Sequence, residues 1–475
     1  MMTADGKVSG IRARMADEVG DARLFDLAVS RARSHVAAGA DKPPFPSPHA
    51  IAALTGFREP LPETPGDGAA IVDRLDRIGG PAAVNHLGGR YFGFVVGGVV
   101  PAAQAARQLA DAWDQNAALH VLSPVTAALE EVTEGWLRAL FRLPSETVAG
   151  FVSGSSMAIF CALAAARHRL LARQGWDDNE DGLAGSPGIR IVTSRQIHGT
   201  ILKGLALLGL GKRSIEWVDC DDQGRILADR VPELDERTLL ILQAGNVNSG
   251  SFDDFATLCA RAREAGAWVH VDGAFGLWVA ASDRLGHLLD GAELATSWSA
   301  DAHKTLNAPY ESGIVLCRDR EALAGAMQAS GSYILYSERR DGMLYTPEMS
   351  RRARAVDVWA ALKYLGRSGL GELVDGFHAL TCRMRDRLAN AGFTILNDVA
   401  FNQLLVACAD DAETEAVLTR IQASGVCWVG GARFRERAVI RFSVCSWATT
   451  PDDIDASAAA FVEALTAVRG RVAAE

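Results

Sequence analysis

The feature that most constrains this chain is a succession of seven short apolar runs between Thr147 and Cys317: TVAGFVSG, IRIVTS, IEWV, TLLILQAG, AWVHVDGAF, ATSWSAD and SGIVLC. Each is short for a helix and offers water no polar face, so each reads as a strand buried on both sides. Helical patterns, beginning near Ala102, separate the runs. Strands alternating with helices predict an α/β fold built on a large, mostly parallel, doubly wound sheet. In such sheets ligands bind at the carboxyl ends of the strands, so the residues that end each run are where chemistry is sought.

The flanks follow other patterns. A helix-like opening gives way to DKPPFPSPHAIAALTGFREPLPETPGDG, whose prolines forbid long regular structure, then to a helical pattern over Asp67 to Gly79 and the glycine-rich loop HLGGRYFGFVVGGVVP. After Gly366 come a long helix (Leu370 to Ala391), GFTILND, FNQLLVAC, a helix near Glu413 to Ala423, VCWVGG, AVIRFSVC and a last helix. The expected organisation is a wrapping N-terminal segment (1–88), a large domain (89–365) and a small α+β domain (366–475). With 475 residues, 49% of them hydrophobic, the chain can bury a large core.

A formal net charge of -10 with scattered basic residues argues against nucleic acid and anionic membrane as partners. The opening MMTADGKVSG has no apolar signal stretch, so a cytoplasmic protein is expected. Eight cysteines, none in a C-x-x-C pair, suggest neither a metal site nor a disulfide framework.

Four strand ends carry candidate chemistry. Lys304 follows His303 in SADAHKTLNAPYESG, and a lysine amine there can condense with an aldehyde if it is desolvated or flanked by a cation. Asp272 ends AWVHVD; an ionised carboxylate at a strand end needs a cation, and a protonated pyridine nitrogen would be one. Ser153, Gly154, Ser155 and Ser156 open an alanine-rich helix and present N–H groups suited to an anion. His198 stands just past a strand, where a flat imidazole can stack on a planar ring. Each also has a structural reading taken singly: a solvated lysine, a turn aspartate, a capping serine, a structural histidine.

Taken together and in this order, the four segments resemble those of the pyridoxal-phosphate group II amino-acid decarboxylases, including the aromatic amino-acid, glutamate and diaminobutyrate decarboxylases. The resemblance runs from about Asp67 to about Asp453. It implies the fold type I architecture, pyridoxal phosphate as cofactor, and conversion of an L-amino acid to an amine and carbon dioxide. It further implies that Lys304 is the Schiff-base lysine, Asp272 the pyridinium partner, His198 the stacking histidine and Ala274 the residue under the ring. Ser155, Ser156 and His303 are implied to meet the phosphate, with Asp301 and Asn246 beside the cofactor. RYFGFVVGG resembles the family's substrate-entrance loop, and Asn116 and Ser123-Pro124 stand at recurring family positions.

Several positions depart from the family pattern. Asp301 stands where many members have asparagine, Asn246-Val247 where many have two threonines, Thr305 where tryptophan is usual, and Met157 where glutamate is common. SYILYSERRDGMLYTPEMS occupies the place of the mobile loop whose tyrosine protonates the product; Tyr345 is the first candidate for that role and Tyr336 the second. For the substrate, Arg90 suits an acidic side chain, while Tyr91, Phe92, Phe94 and Trp113 suit an aromatic one. The resemblance also implies a homodimer with shared active sites. A decarboxylation-coupled aldehyde synthase and an aminotransferase, the latter using Arg441 for the substrate carboxylate, are the alternative activities.

Overall fold

The computed structural model describes residues 10–329 and 336–472. The strands of its larger sheet are β1 (Val148–Val152), β2 (Arg190–Ser194), β3 (Ile215–Val218), β4 (Thr238–Gln243), β5 (Trp268–Asp272), β6 (Ser297–Asp301) and β7 (Gly313–Cys317). Each falls within one of the seven apolar runs. They form one mixed sheet in the order β1-β7-β6-β5-β4-β2-β3. Neighbours from β3 to β6 pair in parallel, whereas β7 is antiparallel to both β6 and β1.

The β7 exception has a simple cause. Residues 302–312 hold no crossover helix, so the chain leaving β6 can only turn back beside it. Lys304 sits in this turn. Because β1 is antiparallel to β7, it runs with β6, and the carboxyl ends of β1, β2, β4, β5 and β6 all meet one edge of the sheet.

Helix Ser155–Ala172 leaves β1 and is buried along most of its length, with Ala158, Ala162, Ala165 and Ala166 letting it press close to the sheet. A helix apolar nearly all round must be covered on every side, and helices Gly199–Leu207 and Arg320–Met327 cover its outer surface. The opposite face of the sheet is packed by helices Pro124–Phe141 and Arg354–Asn390. At Gly313 an added Cβ would lie 2.3 Å from the Cα of Gly154, so a side chain there would push apart the two loops that approach Lys304.

The second sheet contains β8 (Thr394–Ile395), β9 (Gln403–Ala407), β10 (Gly430–Phe434) and β11 (Arg437–Ser443), antiparallel in the order β10-β11-β9-β8. The expected strand over VCWVGG is displaced toward its end. Trp428 is drawn off to the glycine-rich loop: its N–H donates to Arg90 O at 3.0 Å, its carbonyl accepts from Phe92 N at 2.8 Å, and its ring stacks on Tyr91 at 5.0 Å. The expected helix from Leu370 begins just after Gly366, whose φ of 62° separates it from a preceding helix that starts at Arg354.

The N-terminal part contributes helices Ile11–Asp21, Arg23–Ala37, Pro48–Ala53 and Gly68–Ala82, the last capped by the Asp67 side chain. All eight cysteines are free and six are buried. Among the described residues no helix is long and apolar enough to cross a membrane.

Candidate active site

A cavity of about 300 Å³ opens at the shared strand edge, and its wall includes Ser155, His198, Asp272, Ala274 and Lys304. The topology thus brings together residues from four separate segments. Lys304 Nζ lies 2.9 Å from Asp301 Oδ2. Asp301 is buried behind it and also accepts the N–H of Ser155, the first residue of its helix. Burial alone would raise the Asp301 carboxyl, but Lys304, His303 and these hydrogen bonds outweigh it and hold the group below the usual range.

Asp272 is also buried, and burial pushes its carboxyl upward against the opposing pull of His198 and Lys304. Its Oδ1 accepts from Ala274 N at 3.2 Å and from Ser299 Oγ at 3.3 Å. Among the described residues Oδ2 has no hydrogen-bond partner, so it is the oxygen available to a ligand N–H. His198 uses Nδ1 at the start of its helix, 2.6 Å from Thr200 Oγ1 and accepting from Thr200 N at 3.3 Å. Burial holds this imidazole below its ordinary pKa and so favours the neutral ring. His303 has its Nδ1 bonded to Ser312 N at 3.1 Å, and its ring stacks on Tyr310 with centroids 4.4 Å apart.

The glycine-rich loop closes over this edge. A Cβ at Gly97 would come within 2.2 Å of the Lys304 carbonyl oxygen, so only glycine lets the loop lie against the lysine backbone. Phe94, Val95 and Val96 from the same loop line the cavity.

Several expected site residues are placed elsewhere. Ser156 is exposed beside the cavity wall and Ser155 is buried in it. Asn246 is buried, with Oδ1 accepting from Asn248 N and Ser249 N and Nδ2 donating to Gln196 O; it shapes its own turn while Val247 reaches the cavity. Arg90 lies 3.6 Å from Asp453, which ties the loop to the C-terminal part. Tyr91 is spent on Trp428, and Phe92 is core, its ring 4.1 Å from Phe442. Trp113 ends helix Pro101–Trp113 and is exposed, and Asn116 accepts from Ala118 N and Arg351 N. Neither lines this cavity.

The proton-donor candidates need the same correction. Tyr345 is only 4% exposed, packed in the core beneath β1 with Arg340 5.1 Å from its ring centroid. Its phenol is therefore turned into the protein. The cause is a buried ionic cluster: Arg340 and Arg351 both pair with Glu130, and Arg340 also with Glu134, clamping this segment to helix Pro124–Phe141. Tyr336 donates to Ala329 O at 2.8 Å at the surface. Residues 332–335 of the loop stretch lie outside the described residues.

Sequence reasoning missed Gln243, Val247, Phe275 and Tyr310 as cavity residues, and placed Arg441 only in the aminotransferase alternative. Gln243 had a usable signal, since it is a polar residue ending an apolar strand, like Asp272. Among the described residues the buried Arg441 Nε has no hydrogen-bond partner, and burial lowers its guanidinium to about 10. It is a cation facing the cavity with no carboxylate paired to it among the described residues.

The chain as a whole is similar to known decarboxylases. The model of the pyridoxal-dependent decarboxylase conserved domain matches residues 90–406. Mouse cysteine sulfinic acid decarboxylase is 28% identical over 66% of this chain and 65% of its own length, so the chain spans just under two thirds of that relative. The aromatic-L-amino-acid decarboxylase of Bacillus atrophaeus is 29% identical over 52% of each chain. The crystal structure of Oryza sativa TDC with PLP and tryptamine shares the fold, with a TM-score of 0.87, 20% identity, and coverage of 95% of this chain and 98% of that one. The chain belongs to the pyridoxal-dependent decarboxylase family.

Proposed function

We propose that this protein is a pyridoxal-phosphate-dependent decarboxylase that releases carbon dioxide from an L-amino acid bearing a second acid group on its side chain. The observation that carries the reading is the meeting of Lys304, Asp272, His198 and Ser155 around one cavity. Pyridoxal phosphate, when bound, supplies an aldehyde that condenses with amines and a protonated ring that withdraws electrons from the bond to be broken.

The residues present fit that group. Lys304 offers the amine, held in place by Asp301. Asp272 Oδ2 is left to hold a proton on the ring nitrogen, while Ala274 and Ser299 fix the other oxygen. Ionised against a ring N–H⁺, this buried carboxylate gains the cation that its burial demands. The neutral His198 ring offers a flat face for stacking without adding a second positive charge. The N-terminus of helix Ser155–Ala172, with its dipole, suits the phosphate.

Arg441 supports the substrate class. A cation that paired with the departing carboxylate would stabilise the ground state and slow cleavage, so it serves better on a carboxylate that stays. Large exposed apolar residues on the N-terminal helices and nearby, among them Val19, Phe25, Leu61, Leu109 and Val121, support assembly as a homodimer.

Carbon dioxide release from a panel of amino acids, with amine and aldehyde products separated, tests the reading. Acidic amino acids are expected to exceed aromatic ones in kcat/KM by at least about tenfold, with Arg441→Gln losing about a hundredfold, mostly through KM. Preference for aromatic amino acids would overturn the substrate class, and no gas release from any amino acid would overturn the activity.

A further inference from the structure

One polar group in the cavity wall has no task in this scheme. Gln243, the last residue of β4, is 3% exposed and lines the cavity, yet among the described residues its buried Nε2 has no hydrogen-bond partner. Burying an amide N–H unpaired is costly, and native structures seldom tolerate it away from a ligand site. The backbone around it is firmly held: Gln243 N donates to Asp253 Oδ2 at 2.7 Å and Gln243 O accepts from Asp253 N at 3.1 Å. The side chain is therefore set by a fixed strand end.

Register gives its direction. Gln243 pairs with Asp272 across β4 and β5, and Asp272 pairs with Ser299 across β5 and β6. Directly paired residues project to the same face, so Gln243, Asp272 and Ser299 form one row, with Asp272 in the middle. Ser299 completes Asp272 from one side. Gln243 flanks it on the other, where no bond between the two side chains forms among the described residues.

The cofactor's chemistry supplies the missing acceptor. On the pyridine ring the carbon that bears the phenolic oxygen is separated from the ring nitrogen by a single methyl-bearing carbon. A donor one strand away from the nitrogen's partner is suited to that oxygen. Gly245 and Val247, the cavity residues on the loop after β4, carry no side-chain donor and cannot fill the role. We infer that Gln243 donates its side-chain amide to the phenolic oxygen of bound pyridoxal phosphate, an inference that rests on the proposed use of this cofactor. The donor stabilises the oxygen as its anion. It thereby lowers the hold of the neighbouring imine nitrogen on its proton.

The test compares two cofactors on the apoprotein: pyridoxal phosphate and its analogue lacking the ring hydroxyl. Gln243→Met keeps the length of the side chain and removes the donor. Its affinity for pyridoxal phosphate is expected to fall about tenfold, while its affinity for the analogue stays within about twofold of wild type. In the pyridoxal phosphate form, the pH midpoint of the visible chromophore is expected to rise by about one unit, with Asp272, His198 and Arg441 unchanged around it. Should Gln243→Met not fold, Gln243→Asn, which withdraws the amide by one methylene, makes the same comparison. Equal losses with both cofactors, or no loss with either, would overturn this inference while leaving the cofactor reading intact. A wild-type protein that binds neither compound would overturn both.

Discussion

Lys304 and Asp301 form an ion pair, Nζ to Oδ2 at 2.9 Å, and the same carboxylate accepts the Ser155 N–H at the start of the helix that leaves β1. Asp301 thus joins the lysine to the anion-binding end of the site. It also sets a negative charge beside the place proposed for a phosphate.

That arrangement predicts that Asp301→Asn improves cofactor binding. Asparagine keeps an acceptor for Ser155 N and removes the like charge, so titration of the apoprotein with pyridoxal phosphate is expected to show about tenfold tighter binding. Weaker binding would mean that the charge of Asp301 on Lys304 matters more than its repulsion of phosphate.

Tyr345 is expected to have no part in proton transfer. With its phenol packed in the core beside Arg340, Tyr345→Phe should leave the ratio of amine to aldehyde product unchanged. The measurement is product analysis on one accepted substrate. A shift toward aldehyde would show that this residue reaches the reacting atoms.

His270 should limit stability in acid. It is fully buried on β5, bonded through Nδ1 to Ser297 Oγ at 3.0 Å, with Nε2 unpartnered, and burial lowers it to about 3. In the unfolded chain it takes up a proton near its ordinary value of 6.5. The unfolded state therefore binds more protons below that value, and stability falls as pH drops from 6.5 toward 3. The loss from this residue is on the order of 3 kcal/mol by about pH 4. His270→Gln removes the titration and keeps a polar partner for Ser297. Its urea midpoint is expected to decline less between about pH 7 and pH 4 than that of the wild type; parallel declines would place the acid sensitivity elsewhere.

Much of this was legible in the sequence because burial leaves a strong trace there. All seven strands of the large sheet lie inside the short, mostly apolar runs, and Lys304, Asp272, Ser155 and His198 stand at or just past the ends of such runs. The less legible positions were those fixed by contacts far apart in sequence. Nothing near Arg90 announces Asp453, and nothing near Trp428 announces the loop strand it joins. Tyr345 looked free because it followed a polar stretch, yet Arg340 and Arg351 in and beside that stretch are the buried partners of Glu130. Arg441 was visible as a residue, but only the fold shows that no carboxylate pairs with it among the described residues.

The central claim is that Lys304 carries the cofactor. Reconstitution with pyridoxal phosphate, borohydride reduction and peptide mapping of the holoprotein tests it most directly. The account predicts a single pyridoxyl label on Lys304, and loss of that label with Lys304→Ala in a protein that remains folded. A label on another lysine, or none on the wild type, would contradict it.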